Sequence, residues 1–181
     1  TFNGELRMKT YDEMEFHPVA EKLVEILCEK TQNTNPLFFR VMVAYYFSVV
    51  ASMMRCQIDT MDRGEIPVNM YAINLSTSGS GKGLSTNLME EQILDQFRAN
   101  FTDRTWPIAA EQALPVLAQQ RAIRTNVDPD IELQNARYEF EAQGPLTIFF
   151  DSGTTPAIKQ ARHKLLMAKA GSLNFQMDEI G

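Results

Sequence analysis

The sequence predicts an α/β chain, a parallel sheet with helices on both faces, from three stretches. Residues 69–75 read as a strand, and a glycine-rich turn and an amphipathic helix follow them. Residues 146–150 are nearly all apolar and end at Asp151, the pattern of a strand buried in a parallel sheet. Residues 173–177 read as a further strand, followed at once by Asp178-Glu179. Helices between such strands make βαβ units, and the ligands of these sheets sit at the carboxyl ends of the strands. Lys82, Asp151, Asp178 and Glu179 all fall at those ends. At 181 residues the chain is long enough for one domain with a real core.

Residues 1–17 are mixed and polar, without a clear period, and are expected to form an arm or a linker. Residues 18–66 are a helical lead-in and residues 67–181 the core. Pro18 opens a helix in which Val19, Leu23, Ile26 and Leu27 recur at helical spacing to about Lys30. A polar turn over 31–35 ends in Asn35-Pro36, an N-cap followed by proline at the first helical position. The helix it opens, 37–56, is apolar on most sides, so it is expected between layers or against another subunit. Residues 57–67 are a polar connection that turns at Asp62-Arg63-Gly64.

Past the glycine-rich turn, Leu84, Leu88, Ile93 or Leu94, Phe97 and Phe101 mark the apolar face of a helix. Residues 102–144 are a helical insertion in which Trp106 is expected to pack. Pro115 limits where its first helix, over 109–123, starts. Asp128-Pro129-Asp130 opens a second over 131–142, and Gln143-Gly144-Pro145 stops it. Thr155-Pro156 opens a helix over 157–170 whose Lys159, Arg162, His163, Lys164 and Lys169 read as a solvated face. His17 and His163 read as surface residues without ligand partners. In the last strand Asn174 and Gln176 alternate with Leu173, Phe175 and Met177, which places the polar pair on the less buried face.

The turn is Ser76-Thr77-Ser78-Gly79-Ser80-Gly81-Lys82-Gly83, close to the phosphate-loop pattern G-x-x-x-x-G-K-[ST]. Small residues let successive N–H groups curl toward phosphate oxygens. The helix start adds a partial positive charge and Lys82 a full one. The expected nucleotide-binding residues are Ser78, Gly79, Ser80, Gly81, Lys82, Gly83 and Leu84, with ATP as the nucleotide. Ser76 stands where the first glycine usually is, and Gly83 where a hydroxyl would reach Mg2+. Ser85 and Thr86 come too late to replace it, because residues two or three further along a helix point elsewhere. Mg2+ is therefore expected to lean on water and on a carboxylate from another strand.

Composition sets outer limits. Hydrophobic content of 44% and charged content of 22% are ordinary for a globular protein. The longest apolar run, 41–54, is broken by Ser48 and Ser52 and is short for a membrane span, and no signal peptide is visible at the start. Cys28 and Cys56 read as buried thiols rather than a bridge, which fits a cytoplasmic setting, and no Cys/His cluster suggests zinc. A net charge of −6 argues against a basic module that coats nucleic acid, though not against DNA contact by a few loops.

On these residues the chain resembles the ATPase part of phage, plasmid and bacterial primase-helicase-like proteins, over most of residues 18–181. The features that carry the resemblance begin with the apolar helix before the loop, the strand from Pro67 to Tyr71, and Ser78-Gly79-Ser80-Gly81-Lys82. They continue with the helical insertion, Asp151-x-x-Thr154-Thr155-Pro156 opening a helix, and Asp178-Glu179-Ile180-Gly181. The resemblance implies a P-loop NTPase-type sheet and ATP-driven work on single- or double-stranded DNA, usually by a homo-oligomeric ring. It assigns Lys82 to the β- and γ-phosphates and Asp178 to Mg2+ through water. Glu179 is then the base for the attacking water, with Asp151 as its substitute. A phage-encoded protein of this kind would work in the host cytoplasm. A helicase-type core has at least two more strands, so this chain is expected to be the N-terminal part of one. Competing expectations are a DNA-packaging ATPase, a virion or assembly protein with a degenerate nucleotide site, and a small-molecule kinase. The kinase is the weakest, since the insertion offers only Arg121, Arg124 and Arg137, in no lid pattern.

Overall fold

A computed structural model describes residues 14–75, 77 and 79–176. Helix α1 is Pro18–Thr31 and α2 is Pro36–Met53. His17 and Asn35 cap them, each side chain accepting from the N–H two residues on, with a proline in the first turn of each helix. Arg40 of α2 grips Glu21 of α1 with both ends of its guanidinium, at 2.7 and 2.6 Å. The grip holds the Glu21 carboxyl below its usual range.

Helix α2 is the element that the molecule packs around. Its first half, Phe38, Phe39, Met42, Val43 and Tyr46, meets Val24 and Leu27 of α1. Val49 and Met53, further on, meet Phe101, Trp106 and Leu165. Two clusters share one helix, which explains why its sequence is apolar on most sides. Burial of each such large side chain stabilises the fold by about 1.5–3 kcal/mol. Among the described residues α2 alone is long and apolar enough to cross a membrane, and it packs here as a core helix. It ends at Met53 rather than at Cys56, so Cys56 is exposed and Cys28 half-buried, not the two buried thiols expected.

Residues 57–67 form a hairpin, β1 (Gln57–Thr60) against β2 (Gly64–Pro67), antiparallel, with Gly64 at φ +67° closing the turn. Helix α3 (Lys82–Leu88) then starts a nearly continuous helical run. A π-helical turn, Met89–Ile93, leads to α4 (Asp95–Asn100), and a second one, Phe101–Thr105, leads to α5 (Trp106–Thr125). Both π turns have the same cause. Met89 and Leu94 are both buried, as are Phe101 and Trp106, and each pair is spaced by five. In an α-helix the fifth residue points about 140° away from the first. The wider π turn brings it back to the same face, and Leu94 N–H reaches Met89 O at 2.9 Å.

Helix α5 starts at Trp106 and runs straight through Pro115, which the sequence had placed near its start. Pro115 lies on the exposed side, while Ala113, Leu114 and Ala118 around it are buried. Helix α6 (Pro129–Ala142), capped by Asp128 at 2.8 Å from Asp130 N, packs back along α5. Fully buried Ala136 lets the two backbones approach beside Leu114 and Met167. Trp106 stacks on Phe140 of α6 with ring centres 5.8 Å apart, the packing role expected for it.

Strand β3 (Phe149–Phe150) pairs in parallel with β4 (Asn174–Phe175), and α7 (Thr155–Ala168) crosses between them. Thr154 caps α7, one residue before Thr155, where the sequence had placed the cap. The faces of β4 are the reverse of those expected. Asn174 is buried and Phe175 is 48% exposed. Asn174 tolerates the interior because Ser52 of α2 donates to its Oδ1 and its amide donates to Ile148 O.

The α/β fold expected, a P-loop NTPase-type parallel sheet with helices on both faces, is therefore corrected. The chain is mostly helical, and strand among the described residues is confined to two two-stranded pairs, one of them antiparallel. Residues 69–75 join no ladder. Tyr71, Ile73 and Leu75 stand 96, 76 and 84% exposed. Asn74 on the other face ties the segment to the start of α2 by donating to Phe38 O at 2.9 Å. A cleft of about 610 Å3 separates residues 67–71 from β4, where a continuous sheet would have needed contact.

Candidate functional site

The glycine-rich turn leads straight into α3. Gly79 and Gly81 adopt φ +82° and +83°, conformations that only glycine takes without cost. Lys82 is the first residue of α3, followed by Gly83 and Leu84 in its first turn. The last residue of α1 and the linker to α2 brace the turn from behind. Asn33 donates its amide to Ser80 O at 2.8 Å. Thr31 lies so close to Gly81 that an added Cβ would stand 2.6 Å from Thr31 Cβ. An added Cβ on Gly79 or Gly83 would meet open space. The sequence showed 31–35 only as a polar turn; its bracing role needed the fold.

Ser85 is fully buried, and its hydroxyl bonds back to Gly81 O at 2.9 Å and Lys82 O at 2.8 Å. It is thus committed to the helix start, in accord with its sequence position. Gly83 has no hydroxyl, so the first turn of α3 offers Mg2+ no ready ligand. Among the described residues no group of three His, Cys, Asp or Glu could hold a metal ion.

Asp151 stands exposed at the carboxyl end of β3, its carboxylate accepting from Ser152 N at 2.6 Å. Gln176 follows β4 and continues the ladder by donating from its backbone to Phe150 O at 2.9 Å. Ser78, Asp178 and Glu179 lie outside the described residues.

One connection near the turn was not legible in the sequence. Glu90, on the helical run that Lys82 starts, accepts from Tyr46 Oη at 2.9 Å and from Gln176 Nε2 at 2.7 Å. Burial, and then the carboxylate beside it, push the Tyr46 hydroxyl well above the usual tyrosine range. A second cluster ties the helices of the insertion to α7. Glu139 of α6 takes Arg121 of α5 and His163 of α7, each at 2.5 Å. His163 is thus paired, not an isolated surface residue. Lys164, expected on a solvated face, is buried, with its ammonium on Gly144 O and lying over the Phe140 ring.

No family model, no curated protein and no solved structure matches the chain.

Proposed function

We propose that the turn from Ser78 to Leu84 binds the phosphates of ATP, with Lys82 at the β- and γ-phosphates, and that the chain belongs to an ATP-hydrolysing motor acting on DNA. The observation that carries the reading is the backbone of the turn. Gly79 and Gly81, both left-handed, immediately precede a helix that begins with a lysine. Left-handed residues in a turn direct neighbouring N–H groups to one side and make a concavity for anions. The rest of the assignment comes from the motifs: Asp178 for Mg2+, Glu179 as base, Asp151 as its substitute, and a homo-oligomer as the working form.

Gly83 favours a second reading. With no hydroxyl at that position and Ser85 committed to the backbone, the turn suits nucleotide binding without turnover, as in an assembly protein. The experiment is Mg-ATP binding and hydrolysis by the intact protein, with and without single-stranded DNA, beside Lys82→Ala and Glu179→Gln. DNA-stimulated turnover that both substitutions abolish supports the motor. Binding that only Lys82→Ala abolishes, without turnover, supports the second reading. No binding removes both.

A further inference from the structure

Three elements meet at Glu90. It lies eight residues past Lys82 on a helical run that continues from α3 through the first π turn. Tyr46 comes from the middle of α2 and is 2% exposed. Gln176 comes from the end of β4, its backbone already fixed against β3. The Tyr46 hydroxyl lies 2.9 Å from Glu90 Oε1 and 3.3 Å from Gln176 Oε1. Its single proton goes to the carboxylate, the stronger acceptor. The Gln176 amide donates to the same carboxylate oxygen.

Glu90 is half-buried, and both of its donors are side chains of other elements. What the arrangement supplies is a rigid connection. It fixes the helix behind Lys82 against the strand end that stands two residues before Asp178.

We infer that Glu90 is a positioning residue that couples occupancy of the phosphate turn to the end of β4. The inference rests on the phosphate reading of the turn. A nucleotide that shifts α3 moves Glu90, and Glu90 moves Gln176 with it. By linkage, the state of the β4 end feeds back on nucleotide affinity by the same factor.

Hydrogen exchange on the intact protein, with and without Mg-ATP, tests this. In the unaltered protein ATP is expected to slow exchange both in the turn, 77–88, and in the β4 region, 172–181. The effect at β4 is about fivefold or more, the lower end of ordinary coupling. Glu90→Ala is expected to keep the response at the turn and lose it at β4. Glu90→Gln keeps an acceptor oxygen of the same reach and is expected to restore it. A purely structural role would speed exchange at β4 equally with and without ATP and leave the ATP-dependent difference intact; that result overturns the inference. So does a response confined to the turn in the unaltered protein. No response even at the turn overturns the phosphate reading itself and the coupling with it. Should Glu90→Ala not fold, Tyr46→Phe deletes one arm while keeping the ring, and the same loss at β4 is expected.

Discussion

The α5–α6 hairpin and residues 68–75 are both rich in apolar side chains, yet they end in opposite states. In the hairpin, Ala110, Leu114, Ala118 and Ala136 are buried, and the helices close on each other. In residues 68–75, Tyr71, Ile73 and Leu75 remain almost fully exposed. A helix satisfies its own backbone and needs a neighbour only for one face. The hairpin finds that neighbour a few residues away. A strand needs a partner for its backbone as well as for its faces, and a parallel one lies a crossover away in the chain. The lesson is that apolar content alone does not secure burial; a strand must also find a backbone partner.

Five substitutions probe that difference, from the largest effect to the smallest. Trp106→Ala empties the space between Phe101 and Phe140 and is expected to cost about 3–5 kcal/mol in urea denaturation. A loss below 1 kcal/mol would mean that the helical half is less tightly packed than its geometry indicates. Gly81→Ala combines a left-handed backbone with a clash on Thr31, about 2–4 kcal/mol together. Gly79→Ala bears only the backbone part, about 1–2 kcal/mol, because open space surrounds it. Equal losses for the two glycines would show that α1 does not brace the turn.

Glu139→Gln is expected to cost no more than about 1 kcal/mol at neutral pH, since the pair is partly solvated. Its mark is the pH dependence. The Arg121 guanidinium holds the Glu139 carboxyl below its ordinary 4.5, with His163 adding to the effect. A depressed value in the folded state stabilises above the ordinary carboxylate range and fades as the pH falls through the folded value. Thermal midpoints measured from pH 7 to pH 3, about where carboxylates titrate, should therefore fall less steeply for Glu139→Gln than for the parent. Tyr71→Ala should change stability by no more than about 0.5 kcal/mol in the same denaturation assay. A larger loss would reveal packing on that segment.

Helices were legible in the sequence because their signals are local. Asn35-Pro36 and Asp128-Pro129 open α2 and α6 where the caps and prolines said they would. The sheet was not legible, because alternation over 69–75 says that a strand is possible and nothing about whether a partner reaches it. Asn174 misled for a related reason: its polarity matched a solvent face, but Ser52, more than a hundred residues earlier, supplies the donor that lets it turn inward. At the candidate site, Gly79, Gly81 and Lys82 announced the turn, while Thr31 and Asn33, which brace it, gave no local signal.

The two π turns give this chain an unusual freedom of length. Each carries one residue more than an α-helix would use to cover the same distance. Loss of exposed Gln92 lets the first turn relax into ordinary α-helix while Leu94 and everything after it stay in place. The same loss from the middle of α5 would rotate all that follows by about 100° and pull buried Ala118 and Ala122 out of the interior. Insertions and deletions in this protein should therefore gather at 89–93 and 101–105, where the helix can absorb a change of one residue without passing it on.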